Sequence, residues 1–87
     1  MKSPLEIIAA TSKVPDYTAS AIKGIMKRLD MDERAFALIM NVTPSTIRLW
    51  TSGTVKPCGT AKRLMQVYGV CPDLVTCIVD DEKAKSP

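Results

Sequence analysis

The chain has 87 residues, 46% of them hydrophobic and 24% charged, a composition that fits one small globular domain and excludes a large enzyme core, a disordered chain and a disulfide framework. No run approaches the roughly 20 apolar residues a bilayer span needs, and the opening "MKSPLEIIAATSK" sets Glu6 inside its short apolar stretch, unlike a secretory signal; the expected compartment is the cytoplasm, with no membrane partner. The net charge is +3 and there is no histidine, which removes the commonest general base and every Ser-His or Cys-His arrangement, so an enzyme is the least favoured class.

In chain order, "SPLE" offers Ser3 as an N-cap, Pro4 at the first helical position and Glu6 three residues after the cap, a capping-box pattern that predicts a short helix to about Thr11. "TSKVPDYT" reads as a connector, because Pro15 disfavours helix for the residue before it. From about Thr18 to Leu29, Ile22, Ile25, Met26 and Leu29 recur at the spacing of one helical stripe, with Lys23, Lys27 and Arg28 off it. Asp32 is the N-cap of a two-turn helix, Glu33 to Met40, that buries Phe36, Ala37 and Met40. Asn41 tolerates the left-handed conformation that ends such a helix. Thr43 then caps a new helix beginning at Pro44, with Ile47 and Trp50 as its inward pair and Gly53 as its stop.

A further helix is expected from about Gly59 to Tyr68, with Ala61, Leu64, Met65 and Tyr68 inward, Lys62 and Arg63 outward, and Gly69 ending it. After Pro72, "DLVTCIV" reads as a last short helix packing Leu74, Val75 and Ile78, with a β strand as the runner-up because Val, Thr and Ile favour strands. "DDEKAKSP" reads as a frayed tail. The expected fold is therefore all-α, a compact bundle of about five short helices. Residues 1–17 form an N-terminal helix and connector, 18–79 the helical domain and 80–87 a flexible tail.

The charge is uneven: residues 13–63 hold nine of the twelve basic residues against four acids, while the C-terminal part is slightly acidic. A basic middle favours a polyanionic partner over a merely solvated surface. Cys58, Cys71 and Cys77 are odd in number, lack a CxxC spacing and have no histidine to complete a zinc shell, so they read as reduced, partly buried hydrophobes and no metal or cofactor set is visible.

A short helix, a tight turn and a second short helix match the helix-turn-helix unit, whose second helix enters the DNA major groove. Ala37 is small where the helices cross, Asn41 supplies the turn, and Ile47 and Trp50 hold the second helix inward, leaving Pro44, Ser45, Arg48, Leu49 and Ser52 outward. Trp50 shares its face with Ile47 and so reads as core, not as a stacking platform for bases.

The segment "FALIMNVTPSTIRLWTSGTVKPCGTAKRLMQVYGVCPDLV" resembles the Xre, or lambda-repressor-like, DNA-binding domains, most closely the HigA-type antitoxins and related small regulators. In that family a Phe-Ala pair precedes the turn, a valine follows it, and a Ser/Thr-rich start leads to a buried tryptophan and a glycine. A Lys/Arg-x-Pro, matched here by Lys56 directly before Pro57, then leads to an Ala-rich helix with a leucine pair and a Pro-Asp/Glu-Leu ending; the resemblance covers about Ile22 to Val75. The resemblance implies a sequence-specific repressor on a double-stranded DNA operator, acting as a homodimer, with a toxin protein as partner if it is an antitoxin.

The matching positions make Arg48 the first choice for base or phosphate recognition, Ser45 and Thr46 short-range contacts, Thr43 and Pro44 the cap and start of the recognition helix, and Lys56 and Lys62 phosphate-neutralising cations. Two departures matter. Glu33 stands where the family often has a phosphate-touching Gln, so it is not counted as a contact, and Leu49 replaces a common basic residue, which leaves it apolar contact with a thymine methyl. Leu38 and Leu49, off the buried stripe, join Ile7 and Ile8 as an expected partner surface, a second copy being the simplest partner. The competing readings are a phage or plasmid regulator without a toxin and a helix-turn-helix-shaped protein-interaction module that does not bind DNA.

Overall fold

The computed structural model describes residues 2–11 and 13–85, through which run six helices: α1 (Pro4–Thr11), α2 (Ala19–Arg28), α3 (Glu33–Met40), α4 (Pro44–Thr51), α5 (Gly59–Val70) and α6 (Asp73–Lys85). No strand occurs among the described residues, so the all-helical expectation holds and the strand alternative for "DLVTCIV" is replaced by α6.

The starts of α1 to α4 are set by short polar side chains. Thr18, Asp32 and Thr43 each accept a hydrogen bond from a backbone N–H three residues on, Ala21 at 3.1 Å, Ala35 at 2.9 Å and Thr46 at 3.2 Å, satisfying donors that have no partner inside the helix. Ser3 does the same for Glu6 at 3.2 Å. Helix ends are set by three left-handed residues, Asp30 at φ 55°, Asn41 at φ 59° and Gly53 at φ 77°. After each, the next N–H bonds back five residues: Met31 to Met26, Val42 to Ala37 and Thr54 to Leu49, at 2.9, 2.9 and 3.0 Å. These are Schellman closures, in which positive φ turns the chain sharply while keeping the last carbonyls bonded. Asp and Asn pay a small steric cost at two of them that glycine avoids at the third.

The core is built from α2 to α5. Ile22 and Ile25 meet Phe36, Ala37 and Met40, Ile47 and Trp50, and Ala61, Met65 and Tyr68, all buried; α3 and α4 pack on each other and α2 lies across α4 and α5. Two long-range polar contacts tie the layers. The Tyr68 hydroxyl donates to the Ile39 carbonyl at 3.2 Å, and Arg28 Nη1 donates to the Gly69 carbonyl at 3.1 Å near the C-terminus of α5, where a cation suits the helix dipole. Burial pushes the Tyr68 phenol above its ordinary range, because its anion would lose solvation.

Several expectations are corrected at the C-terminal side. α5 does not stop at Tyr68 but runs through Gly69 to Val70. The stop lies at Cys71, φ −127°, the residue before Pro72, which is sterically pushed out of the helical region. Leu74 and Ile78 are exposed, not packed inward, and only Val75 of α6 leans on the core, because α6 has no layer beyond α5 to cover it. Residues 80–85 continue α6 where a frayed tail was expected, with Lys85 bridging Asp81 at 2.9 Å one turn away. Ser86 and Pro87 of that expected tail, and Met1 and Ser12 of the N-terminal helix and connector, lie outside the described residues. Cys58, Cys71 and Cys77 are all exposed free thiols, so the expectation of partial burial fails for each. Lys62 and Arg63, expected outward, are half-buried.

Candidate nucleic-acid interface

The candidate site is the α3–turn–α4 unit. Asp32 starts α3, Asn41 (φ 59°, ψ 46°) reverses the chain, and Thr43 starts α4 one residue beyond Val42. Thr43 is locked twice: its Oγ1 accepts from the Thr46 N–H and lies 2.9 Å from Thr46 Oγ1, so Thr43 and Thr46 form one hydroxyl pair over the first turn. Pro44, at the first helical position, gives up no hydrogen bond by lacking an N–H. Ile47 is fully buried and Trp50 nearly so, which fixes the rotation of α4 about its axis. Given that rotation, Ser45, Arg48, Leu49 and Ser52 are exposed, while Pro44 and Thr46 are half-buried.

This outer face is mixed in chemistry. Leu49 presents 41% of its surface to solvent and can offer only apolar contact. The Ser52 hydroxyl donates to the Leu49 carbonyl at 3.1 Å and lies 2.8 Å from Thr54 Oγ1, closing the C-terminal end of the helix. The Arg48 guanidinium is half-exposed, not tucked inside, but it is engaged: Nη1 donates to Glu33 Oε2 at 2.9 Å and Nη2 to Ser45 Oγ at 3.1 Å. Glu33, set aside on its sequence, is thus the partner of the residue ranked first. Two of the five guanidinium donors are used and three remain.

The two lysines belong to a different group. Lys62 Nζ lies 3.0 Å from Asp16 Oδ1, so the cation expected to be solvent-facing is paired within the chain. Asp16 stands in the connector, and its carboxyl is held below the ordinary range first by the hydrogen bond from Lys62 and then by the charges of Lys62 and, more weakly, Lys56. A cleft of about 370 Å³ lies here, lined by Asp16, Tyr17, Trp50, Val55, Lys56 and Lys62 among others. The candidate residues therefore fall into two sets that share no partner: Thr43, Ser45, Thr46, Arg48 and Leu49 on α4 and its cap, and Lys56 with Lys62 around Asp16.

The acids at positions 33 and 16 are the ion-pair partners of the candidate residues that sequence reasoning missed. A Glu at the start of α3 and an Arg in the second turn of α4 are fifteen residues apart, and the helix-turn-helix reading alone brings those two ends together. No local signal links Asp16 to Lys62, forty-six residues away.

No protein-family model matches this chain, and no curated protein matches it.

Proposed function

We propose that the chain is a sequence-specific DNA-binding repressor that occupies an operator as a dimer, with α4 as the recognition helix. One observation carries the reading: Asn41 and Thr43 turn the chain so that Ile47 and Trp50 dock inward, and that docking aims Ser45, Arg48 and Leu49 at solvent as one continuous face. A short helix presented this way fits the major groove, where an arginine reads guanine and an apolar side chain meets the thymine methyl. Lys56 and the local excess of basic residues supply the sequence-independent attraction to phosphate. Exposed aliphatic side chains outside α4, including Leu38 at 82% exposure, support a second copy as partner, which would present two recognition helices to a palindromic site. The antitoxin role, with a toxin held through segments outside α4, rests on the family resemblance and is tested by co-purification with the product of an adjacent reading frame.

The test is selection of bound duplexes from a random library, followed by salt titration of the selected site. The parent chain should enrich a motif, lose affinity steeply with salt at roughly 0.9 in slope per phosphate contact, and lose about 1–3 kcal/mol of binding on Arg48→Ala. Equal affinity of parent and variant at every salt concentration removes Arg48 from the mechanism. The second reading, a protein-interaction module, is favoured by the Glu33–Arg48 pair, which cancels charge on the recognition face; failure of the parent to enrich any duplex would select it.

A further inference from the structure

We infer that Glu33 and Ser45 are positioning residues that hold Arg48 to read a guanine, so that the operator half-site carries a G·C pair facing the second turn of α4. The inference rests on the DNA-binding reading above and goes beyond it by naming the base and the residues that fix the reader.

A free arginine on a helix surface samples many rotamers, and reading guanine requires its planar fork to be presented edge-on to the O6 and N7 acceptors. Here the fork is fixed from two sides. Glu33, the first residue of α3, takes Nη1 at 2.9 Å, and Ser45, one turn back on α4, takes Nη2 at 3.1 Å. The anchors stand on different helices, and those helices are locked together by the buried contacts of Phe36, Ala37, Met40, Ile47 and Trp50. The guanidinium plane is therefore set by the fold and not by one flexible stem. The three donors left over are enough for a bidentate contact, and a guanine offers two acceptors side by side in the major groove where adenine offers one beside a donor.

The sign of Glu33's charge makes the arrangement selective. Its carboxylate repels phosphate, so it weakens binding to any duplex whatever the sequence, and it opposes using Arg48 as a general phosphate clamp. Once the groove excludes water, the half-exposed Arg48–Glu33 pair sits in a lower dielectric and its hydrogen bond strengthens, so orientation improves where the base is read. The pair lowers overall attraction and raises discrimination at one position.

The experiment uses the full chain and random duplex selection with the parent, Arg48→Ala, Glu33→Ala and Glu33→Gln. The parent should enrich a motif with one guanine preferred by about tenfold or more over the other bases, and Arg48→Ala should abolish that preference alone. Glu33→Ala should reduce it to less than about threefold while tightening binding to non-specific duplex, a gain that loss of folding does not produce. Glu33→Gln, which keeps an acceptor oxygen without the charge, should recover part of the guanine preference. A motif whose guanine preference is unchanged in Glu33→Ala, or a motif with no guanine that depends on Arg48, overturns the positioning role and leaves DNA binding standing. A parent that enriches no duplex overturns both.

Discussion

Helices α2 to α5 and helices α1 and α6 are both rich in aliphatic side chains, yet they use them differently. Every residue of the core cluster lies in α2 to α5, whereas Leu5, Ile7 and Ile8 of α1 and Leu74, Ile78 and Val79 of α6 are all at least 37% exposed. The central helices carry stripes that meet other stripes from several directions, so the apolar side chains on those stripes are enclosed, while Leu38, Leu49 and Val70, off them, stay exposed. α1 has aliphatic residues spread over its circumference, and those of α6 lie against α5 and along an open groove beside α3. Periodicity tells which face of a helix is apolar; only topology tells whether anything covers it.

The strongest way to test this contrast is to remove a side chain from the centre. Phe36 is fully buried in the core shared by α2 to α5, and Phe36→Ala should cost about 3–5 kcal/mol, a large part of the stability of a small domain. Urea unfolding followed by far-ultraviolet circular dichroism measures it. A loss under about 1 kcal/mol would mean that the four central helices are not held by a common core.

A smaller effect is expected at the periphery. Ile78 lines an apolar groove of about 610 Å³ between α3 and α6, with Leu38, Ile39, Val75 and Val79, and is itself 37% exposed. Ile78→Ser should change the stability of the dilute chain by no more than about 0.5 kcal/mol. If the proposed dimer uses this groove, the parent's melting temperature rises with protein concentration and that of Ile78→Ser does not, since association stabilises by mass action. Calorimetry at two protein concentrations separates the two contributions, and a large loss at the lower concentration would place Ile78 in the core instead.

The same contrast explains how far the sequence could be read. The turn was legible because its chemistry is local: Asp32, Asn41, Thr43, Pro44 and Gly53 each meet a backbone need within five residues of themselves. Asp30 did the same work unnoticed, because an aspartate at positive φ is rarer than Asn or Gly and its sequence neighbourhood resembles an ordinary helix exit. Gly69 misled, since glycine inside a helix costs only about 1 kcal/mol and α5 tolerates it; the true stop, Cys71 before Pro72, was available in the proline rule. On the candidate site, the outward position of Arg48 followed from the inward pair Ile47 and Trp50. Its pairing with Glu33, and that of Lys62 with Asp16, did not, because a charge has no periodicity and finds its partner only after the backbone has closed the distance.

The Asp16–Lys62 contact lies on the boundary between the two regions, joining the connector that follows α1 to α5 in the centre. Asp16 is almost wholly exposed, so solvent and salt screen the pair and its effect should be the smallest of those considered. Its sign is fixed by the carboxyl being held below its ordinary value in the folded chain. Above the unfolded value, near pH 3.9, both states are ionised and the contribution is complete. As the pH falls through that value the unfolded chain takes up a proton first, and the contribution shrinks until it is gone below the folded value. Asp16→Asn should therefore melt slightly below the parent at about pH 7 and converge with it towards about pH 3, and the gap at neutral pH should also close in about 1 M salt. Melting curves that stay parallel across this pH range would show that Asp16 ties the connector down by something other than its charge. If the gap persists at high salt while vanishing in acid, the hydrogen bond, not the long-range attraction of Lys56 and Lys62, is the part that holds.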